Sequence, residues 1–372
     1  MREGGADCDV LVIGAGVVGL ATAYAITRSA PGVRVTVLDK EDRPIRRAAR
    51  VGGVVDSGIH HRPGSLMARC AVRGAAETAA FCAEQGIAHE VTGELIVATR
   101  RAELPRLHAL VQRGRANGVP VRELGAVQIA EHEPEVRGLA AIHVATTAVC
   151  DLAALTGRLA EASGAELRHG ARVVRVDRRP GQGVTVRTAA GAEVRAAVLV
   201  NCAGTRGDHV ARLTGDEPGV RIVPYRGEYR TAERGGRVRG VVSAVPDPEV
   251  PFPGVQLARG VDGGVWAAAY TAAVGEPRRA PSPRAFADAV RGLLPSLDED
   301  DLAPAGWGAR TRAVLRDGTP ADDLLIRQGA RAVHVLNTPS PATGAALPIG
   351  REAARHALAL LDPIRPTNPA TT

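Results

Sequence analysis

The sequence predicts an α/β (α+β) fold, in which a Rossmann-like domain that binds a dinucleotide is combined with an interleaved mixed-sheet substrate domain. Three observations lead to this fold class. Residues 9–39 have the pattern of a β-α-β unit with a glycine-rich turn. Small residues follow two further strand-like segments, near residues 203 and 344. Apolar runs of strand length lie between these segments, and we expect them to form a second sheet.

The glycine-rich turn is the most informative motif in the chain. An apolar run over residues 10–13 leads into the sequence GAGVVG. Here Gly14 permits a tight turn, Gly16 lets the backbone approach a pyrophosphate, and Gly19 lets the following helix pack against the sheet. The helix begins near Val17 and Val18, and its positive N-terminal end is where phosphates are expected.

The second apolar run, over residues 33–38, ends at Asp39 and Lys40. Asp39 follows Gly19 by 20 residues, a spacing at which a carboxylate accepts hydrogen bonds from ribose hydroxyls. The strand, the turn, the helix and the acid together predict a dinucleotide site. The alternative is a glycine-rich turn in another kind of α/β unit.

Composition excludes some classes of function. The chain has 372 residues and a formal net charge of +7, and Lys40 is the single lysine among 47 basic residues. The arginines are scattered and only 2% of the residues are aromatic, which argues against binding of nucleic acid. Five cysteines without metal-like spacing predict free thiols, no metal site and a cytoplasmic protein. We expect no signal peptide and no membrane span, while peripheral membrane contact stays open.

The remaining segments are predicted in chain order. The region 43–64 is irregular, a hairpin turn occupies 177–183, an exposed loop occupies 276–283, and the tail after Pro363 is disordered. Helices are expected at 65–85, 101–117, 152–163 and 350–361, and strands at 93–99, 172–177, 183–188, 197–200, 221–230, 254–258, 264–270, 324–326 and 332–336.

Two later segments favour FAD over a nicotinamide cofactor. The strand VLVNCAG ends in small residues that allow the chain to pass close to the FAD phosphates and ribose, and the loop 337–346 precedes a helix whose N–H groups can face the flavin. Either segment alone is also compatible with an ordinary strand-to-helix loop. The candidate cofactor residues are Gly14, Gly16, Val17, Val18, Gly19, Asp39, Lys40, Val174, Ala203, Gly204, Thr343, Gly344, Ala345 and Ala346.

Six ordered motifs carry a resemblance to a known family. They are GVVDSGIHHRPGSLMARC (53–70), PYRGEY (224–229), VPDPEVPFPGVQL (245–257), GARTRAV (308–314), DDLLI (322–326) and NTPSPATGAALPIG (337–350). With these motifs the chain resembles the FAD-dependent D-amino-acid-oxidase-like superfamily, and within it the L-2-hydroxyglutarate oxidase/dehydrogenase group. The resemblance implies FAD and oxidation of a 2-hydroxy acid to a keto acid by hydride transfer to the flavin.

The departures from that group fall on the substrate side. The group has HNSGVIHAG where this chain has residues 50–58, so that Asp56 replaces its second histidine and Arg50-Val51 replaces its His-Asn pair. Gln256 replaces the histidine of GVHL, and residues 268–271 replace GPNA. The stretch between residues 270 and 308 is also shorter than in the group.

The candidate catalytic residues follow from this comparison. Oxidation of an alcohol or amine needs a base, and Asp56, His60 and His61 occupy the relevant segment. The alternative for Asp56 is the cap of a local turn. By the resemblance, Arg310 aligns with the arginine of the group's GVRAQAV, and we expect it to bind a substrate carboxylate. Arg226 is the second candidate for that role.

Further substrate contacts are expected from Tyr225, Gln256 and Tyr270, and Tyr229 is a further pocket candidate. The FAD domain is expected at 1–85, 150–215 and 305–365, the substrate domain at 86–149 and 216–304, and the tail at 366–372. Reduced FAD would pass its electrons to oxygen or another acceptor. Three functions stay open: C–OH oxidation of a small polar substrate, C–N oxidation of an amine or amino acid, and a specialised biosynthetic flavoprotein with altered chemistry. The oligomeric state is also open.

Overall fold

The structure, a computed structural model, describes residues 6–42, 53–179, 183–232, 238–247, 254–270, 282–339 and 342–361. None of the helices in these segments combines the length and apolar character that crossing a bilayer requires. The strands are β1 Cys8–Ile13, β2 Val35–Leu38, β3 Val54–Val55, β4 His89–Val91, β5 Glu94–Ala98, β6 Val121–Gly125, β7 Ala140–Val144, β8 Ala148–Cys150, β9 Glu166–Arg168, β10 Val173–Arg179, β11 Gly183–Thr188, β12 Glu193–Asn201, β13 Val220–Ala232, β14 Val241–Ala244, β15 Val255–Arg259, β16 Val265–Tyr270, β17 Leu302–Leu315, β18 Leu325–Gln328 and β19 Ala332–Asn337. The helices are α1 Val17–Ser29, α2 Leu66–Gln85, α3 Leu104–Ala116, α4 Ala126–His132, α5 Leu152–Ser163, α6 Gly207–Leu213, α7 Pro283–Arg291 and α8 Ala346–Leu361.

The first sheet has the parallel centre of a doubly wound fold. Its strand order is β10-β11-β12-β1-β2-β9, and β19 also pairs with β12 and carries β18 on its other edge. Strands β2, β1, β12 and β19 run parallel to one another. The centre of this sheet is made of short, buried apolar runs such as residues 10–13, as expected for strands covered on both faces.

Helices α1 and α8 lie side by side against this sheet. Each follows a strand of the same parallel set, so the two helices run in the same direction. A Cβ added at Gly350 would overlap the backbone of Ala21, which shows how closely they pack. Both residues lie four positions after the first residue of their helix. The starts of α1 and α8 are therefore level, at the carboxyl-terminal edge of the parallel strands.

The second sheet has the order β17-β13-β16-β15-β14-β5-β7-β6, and a small third sheet has the order β3-β8-β4. One face of the second sheet packs with α7 through Phe286, Leu257 and Val290. The opposite face packs on Val54 and Val149 of the third sheet. Strand β17 pairs with β13 along its whole length, so the domain boundary predicted at residue 305 falls inside a strand of the second sheet.

The long predicted elements are confirmed, with shifts at their ends. The helix at 152–163 has the predicted bounds, and α2 begins one residue after its predicted start, where Ser65 accepts a hydrogen bond from the Ala68 N–H at 3.0 Å. Helix α8 begins at Ala346, four residues before its predicted start, and β12 begins at Glu193 rather than near residue 197. The structure adds the short elements α4, α6, α7, β3, β4, β6, β7, β8, β9 and β14, and it also adds the 14-residue strand β17, which was not predicted from the sequence. Residues 43–52, 180–182, 276–281 and the tail from 362 lie outside the described residues.

Candidate active site

A groove opens at the carboxyl ends of β1, β2 and β12. It encloses a cavity of about 630 Å³. This is the edge at which ligands bind in open parallel sheets. Seven of the predicted cofactor residues line it: Gly14, Gly16, Asp39, Lys40, Val174, Ala203 and Gly204.

The three glycines of the turn differ in their surroundings. Gly14 has φ +106°, and a Cβ there would overlap the carbonyl oxygen of Cys202. A Cβ at Gly19 would overlap the carbonyl oxygen of Gly14, so the helix can approach the strand only with glycine at this position. A Cβ at Gly16 would meet no atom of the described residues within 4 Å. The space beside Gly16 is therefore left open by the protein.

The N-terminus of α1 faces this open space. Gly16 is the N-cap and supplies no side-chain hydrogen bond, and the first turn carries no acidic residue. The first N–H groups, including those of Val17 and Val18, are thus left for a ligand, and they form the positive end of the helix dipole. The open cradle and the donor set fit the pyrophosphate of a dinucleotide.

Asp39 is held at the wall of the groove by backbone donors. Its Oδ2 accepts a hydrogen bond from the Ala15 N–H at 2.7 Å, and its Oδ1 accepts one from the Glu41 N–H at 2.8 Å. The carboxylate is half-buried and lines the cavity, which leaves lone pairs that can accept hydrogen bonds from ribose hydroxyls. Lys40 is exposed and lies 3.5 Å from Glu41.

A buried polar network that sequence reasoning missed fixes the third wall. Asn201 Oδ1 accepts a hydrogen bond from the Ala203 N–H at 3.1 Å, and Asn201 Nδ2 lies 3.1 Å from His334 Nδ1. His334 Nε2 lies 3.0 Å from Asp216 Oδ2. Burial lowers the pKa of His334, and the neutral ring then donates to Asp216 and accepts from Asn201. The Ala203–Gly204 turn is therefore positioned by side chains of three separate segments.

The start of α8 lies at the same edge of the sheet but does not line this cavity. Gly344 and Ala345 are buried there, and Thr343 is half-buried. Thr78 Oγ1 of α2 donates to the Gly344 carbonyl at 3.1 Å, and a Cβ at Gly74 would overlap the same carbonyl. Helix α8 has no acidic residue in its first turn. Its N–H groups, beginning near Ala346, are suited to stabilise negative charge on a bound ring.

The register of the second sheet gathers most of the predicted substrate residues on one face. Arg310 lies opposite Tyr225, and Tyr229 and Gln256 both lie opposite Ala268. Directly opposed residues share a face, and residues two apart on one strand also share it. Tyr270 holds the register position opposite Gly227 on the adjacent strand.

Arg226 does not join this group. It alternates with Tyr225 along β13 and therefore lies on the opposite face of the sheet, where it is exposed. Its Nε donates to Glu228 Oε1 at 2.6 Å, and its guanidinium lies 4.9 Å from the centre of the Trp307 ring. The structure thus separates the two arginines that the sequence proposed for one role.

The segment 54–61 lies over the face that carries Gln256. Val54 packs with Tyr225 and Tyr229, and Ile59 packs with Ile96. Helix α3 and the residue after it secure the end of the segment. Arg113 donates to the His60 carbonyl at 3.0 Å, and Asn117 Nδ2 donates to the carbonyls of Gly58 and His61 at 3.0 and 2.9 Å.

The predicted bases come together with an acid that sequence reasoning missed. One ligand atom from each of Asp56, His60 and Glu94 lies within 4.8 Å of the other two. Asp56 Oδ2 accepts a hydrogen bond from the Gly58 N–H at 3.0 Å, which is the local turn given as the alternative role of Asp56. The same oxygen lies 3.6 Å from His61 Nε2, which makes no hydrogen bond. Burial lowers the pKa of His61 and favours its neutral form.

Glu94 connects this cluster to Gln256. The Ser243 hydroxyl lies 2.7 Å from Glu94 Oε1, and the Thr147 hydroxyl donates to Glu94 Oε2 at 3.1 Å. Gln256 Nε2 donates to Ser243 Oγ at 3.1 Å. Burial raises the pKa of Glu94. In the sequence, the one sign of this role is that an acidic residue, Glu94, stands at the start of the apolar strand GELIVAT. Its contacts in the fold could not be predicted, because they come from residues that are distant in the chain.

Comparisons with known proteins agree with this geometry. The profile of the DAO family, described as FAD dependent oxidoreductase, matches residues 9–356. The chain is 34% identical to "L-2-hydroxyglutarate dehydrogenase" of Indibacter alkaliphilus, over 95% of this chain and 99% of that protein. It is 30% identical to the mitochondrial "L-2-hydroxyglutarate dehydrogenase" of Homo sapiens, over 92% and 86% of the two chains. Its fold is similar to that of L-alpha-glycerophosphate oxidase from Mycoplasma pneumoniae with FAD bound, with TM-score 0.82 at 22% identity over 95% and 94% of the chains.

Proposed function

The chain belongs to the DAO family of FAD-dependent oxidoreductases, and we propose that it oxidises the hydroxyl-bearing carbon of a 2-hydroxy acid to the keto acid. FAD is its cofactor, and the groove between β1, β2 and β12 has the open cradle beside Gly16 that the pyrophosphate needs. Gly344, just before α8, contacts Val55, and the adjacent Val54 packs on the sheet face that carries Gln256. This face is the proposed substrate side. The cofactor and substrate regions therefore adjoin.

One observation carries the choice of a 2-hydroxy acid. Relatives that share 30–34% identity over more than nine-tenths of this chain carry the name L-2-hydroxyglutarate dehydrogenase. The similarity includes the second sheet as well as the cofactor groove, since the matched lengths span both. The solved structures with similar folds act on several different substrates by their titles, and their likeness concerns the fold.

The proposed chemistry divides between the cofactor and the chain. Bound FAD supplies a hydride acceptor for the C–H hydrogen and its electron pair. The proton of the substrate hydroxyl must also leave, and Asp56 is the proposed acceptor. Its carboxylate is buried beside His61, and its backbone N–H lies against Gly344 in the loop before α8. Burial keeps His61 neutral, so His61 is the second candidate for this role.

Arg310 is the proposed contact for the substrate carboxylate. It is half-buried and shares a sheet face with Tyr225, Tyr229 and Gln256, which are buried. A guanidinium can bind a carboxylate through two parallel hydrogen bonds. We propose oxygen or another small acceptor for reoxidation of the cofactor. The five cysteines all lie in described segments and are free, which supports a cytoplasmic location.

Oxidation of a C–N bond is the second candidate function. The observation in its favour is the pair of buried acids, Asp56 and Glu94, which would suit a substrate with positive charge. The products separate the two candidates, because C–OH oxidation yields a keto acid without ammonia, whereas an amine yields an imine that hydrolyses to ammonia.

The first experiment is an anaerobic titration of the holoenzyme with hydroxy acids, including L-2-hydroxyglutarate, and with amino acids. We expect the flavin absorbance to bleach with a hydroxy acid and the keto acid to form in equal amount. Reduction by amino acids alone, with release of ammonia, would support the second candidate and contradict the first. A flavin that stays oxidised with every compound would contradict both.

The two arginines of β13 and β17 provide a matched pair of variants. Arg310→Gln should raise the dissociation constant of the reducing hydroxy acid by roughly 10- to 100-fold, because a bidentate charged contact is lost. Arg226→Gln, on the opposite face, should change it by less than about twofold. Both constants come from the dependence of the bleaching rate on substrate concentration. Equal effects of the two substitutions would remove Arg310 from the proposed site.

A further inference from the structure

Three side chains that no comparison assigns form a polar cluster at the proposed substrate side. They are Asp56, His60 and Glu94, and their ligand atoms lie within 4.8 Å of one another. Asp56 and Glu94 retain only 3% and 2% of their exposure, and His60 is half-buried and gives the cluster its contact with solvent. All three present hydrogen-bond acceptors, if the imidazole is neutral.

In the described segments the two acids of this cluster face histidines rather than arginines or lysines. In the segments that the structure describes, neither carboxylate forms an ion pair with an arginine or lysine, and the charged neighbours of Glu94 are His60 and Asp56. Two buried carboxyl groups this close cannot both ionise without a positive partner. Burial and the nearby Asp56 raise the pKa of Glu94, and a cation bound between the two acids would favour their ionised forms.

A second observation points to a missing ligand. The His61 side chain is only 4% exposed, and its Nε2 atom lies 3.6 Å from Asp56 Oδ2. This atom has no hydrogen-bond partner among the residues that the structure describes. Buried polar atoms are rarely left without a partner, because each such atom costs about 1–3 kcal/mol in lost hydrogen bonding. The unpartnered nitrogen is directed at the acidic cluster.

We propose that Asp56, His60 and Glu94 form a subsite for the ammonium group of the substrate, which would make that substrate an amino-substituted 2-hydroxy acid. This inference rests on the proposed function and narrows its substrate class. With Asp56 bound to the ammonium group, the hydroxyl proton passes to His61, the second candidate base. An ammonium group has three N–H donors, and three acceptors at about 2.9 Å from its nitrogen stand about 4.7 Å apart. The ligand atoms of the cluster lie within 4.8 Å of one another, which is compatible with this spacing.

The surrounding hydrogen bonds hold the acceptors in place. Ser243 and Thr147 each contact one oxygen of Glu94, and the Gly58 N–H fixes Asp56. Gln256 contacts Ser243, so that its position depends on the same network. A terminal carboxylate, as in L-2-hydroxyglutarate, would meet two acids here and would be repelled.

The test uses ligands that cannot be oxidised, so that binding is separated from the reaction. 4-Aminobutyrate and glutarate lack the hydroxyl group and differ at one end, which is ammonium or carboxylate. We expect 4-aminobutyrate to perturb the flavin absorbance of the holoenzyme with a dissociation constant at least about tenfold lower than that of glutarate. Equal binding, or tighter binding of glutarate, would overturn the subsite.

Glu94→Gln should weaken 4-aminobutyrate about tenfold and leave glutarate unchanged or tighter, whereas Glu90→Gln, at an exposed residue of β4, should change neither. If Glu94→Gln loses FAD, Ser243→Ala replaces it and should weaken 4-aminobutyrate alone. Binding of Mn²⁺ that depends on Glu94 and excludes 4-aminobutyrate would assign the cluster to a metal and overturn the proposal.

Bleaching of the flavin tests the proposed oxidation, whereas binding of 4-aminobutyrate and glutarate tests the ammonium subsite. Bleaching by L-2-hydroxyglutarate with tighter binding of glutarate would retain the proposed function and remove the subsite. Tighter binding of 4-aminobutyrate without bleaching by any hydroxy acid, 4-amino-2-hydroxybutyrate included, would retain an ammonium site and remove the oxidation of 2-hydroxy acids.

Discussion

At the scale of single residues, the three glycines of the cofactor turn differ in what surrounds them. Gly14 and Gly19 are required by the protein itself, because a Cβ at either position would overlap backbone atoms. Gly16 is different, since its Cβ position is empty and its φ of −71° suits any residue. Only a ligand therefore requires glycine at position 16.

Gly16→Ala should consequently weaken FAD and leave the apoprotein intact. The added methyl group would occupy the space through which the pyrophosphate approaches the start of α1. We expect the FAD dissociation constant to rise by roughly tenfold or more, and the melting temperature of the apoprotein to stay within about 1 °C. Flavin fluorescence titration and thermal unfolding of the apoprotein measure the two quantities.

Gly157→Ala is the matched control for this substitution. Gly157 also has no protein atom near its Cβ position, but it lies in the interior of α5 and away from the groove. Alanine should raise the free energy of unfolding by about 0.5–1 kcal/mol and leave FAD affinity unchanged. If both variants bound FAD like the unaltered chain, the cradle would not be the pyrophosphate site.

At the scale of elements, the contact between α2 and the loop before α8 links the two parts of the site. Gly74 lets α2 approach the Gly344 carbonyl, which also accepts the hydrogen bond from Thr78. Gly344 in turn lies against Val55, and Asp56 follows directly. The position of the flavin-side loop and that of the proposed base are therefore set by one helix.

Gly74→Ala should displace this loop. Because the new Cβ would overlap a backbone carbonyl, we expect a loss of about 2–3 kcal/mol in the free energy of unfolding and a weaker flavin signal. Thr78→Val removes only the hydrogen bond and should cost about 1 kcal/mol. Denaturant titration of the holoenzyme orders the two variants, and a smaller effect of Gly74→Ala than of Thr78→Val would contradict this packing argument.

The contrast between the turn and the acidic cluster shows what the sequence can predict. The packing roles of Gly14 and Gly19 follow from local spacing, and the structure shows the close backbone contacts that require glycine there. The contact of Asp39 with ribose stays a prediction from the same spacing. Glu94 could not be assigned in this way, because sheet register and the hydrogen bonds of α3 bring it to Asp56. Arg226 was proposed from a motif, but the alternation of β13 decides which face it occupies.

At the scale of the whole molecule, buried histidines couple the fold to pH. His334 is 1% exposed and joins β12 and β19 through Asn201. Its ring accepts from Asn201 and donates to Asp216, so a second ring proton would face the Asn201 amide. Burial lowers the pKa of His334, and it also lowers the pKa of His61.

The sign of the resulting pH dependence follows from these directions. An unfolded histidine has a pKa of about 6.5, and the folded values of His334 and His61 lie below this. Below about pH 6.5 the unfolded chain therefore binds protons that the folded chain does not, and the free energy of unfolding falls. Asp216 affects stability at lower pH. Its burial opposes ionisation, but hydrogen bonds from His334 and Arg178 lower its pKa overall. Its contribution to the free energy of unfolding is therefore present above about pH 4 and is lost at lower pH.

We therefore expect the holoenzyme to lose stability between about pH 6.5 and 5, with a slope of up to about 1.4 kcal/mol per pH unit for each such histidine. His334→Gln removes one titrating group and should reduce the slope of the free energy of unfolding against pH. The loss of buried hydrogen bonds should also lower the stability near pH 8 by about 1–3 kcal/mol. His108→Gln, at an exposed residue of α3, should leave the slope unchanged. Denaturant midpoints across this pH range measure the slopes. An unchanged slope in His334→Gln would show that other groups couple the fold to pH.

The same titration should affect the cofactor, because Asn201 contacts His334 and also holds the Ala203 turn of the cofactor groove. We therefore expect FAD to dissociate between about pH 6.5 and 5 as well.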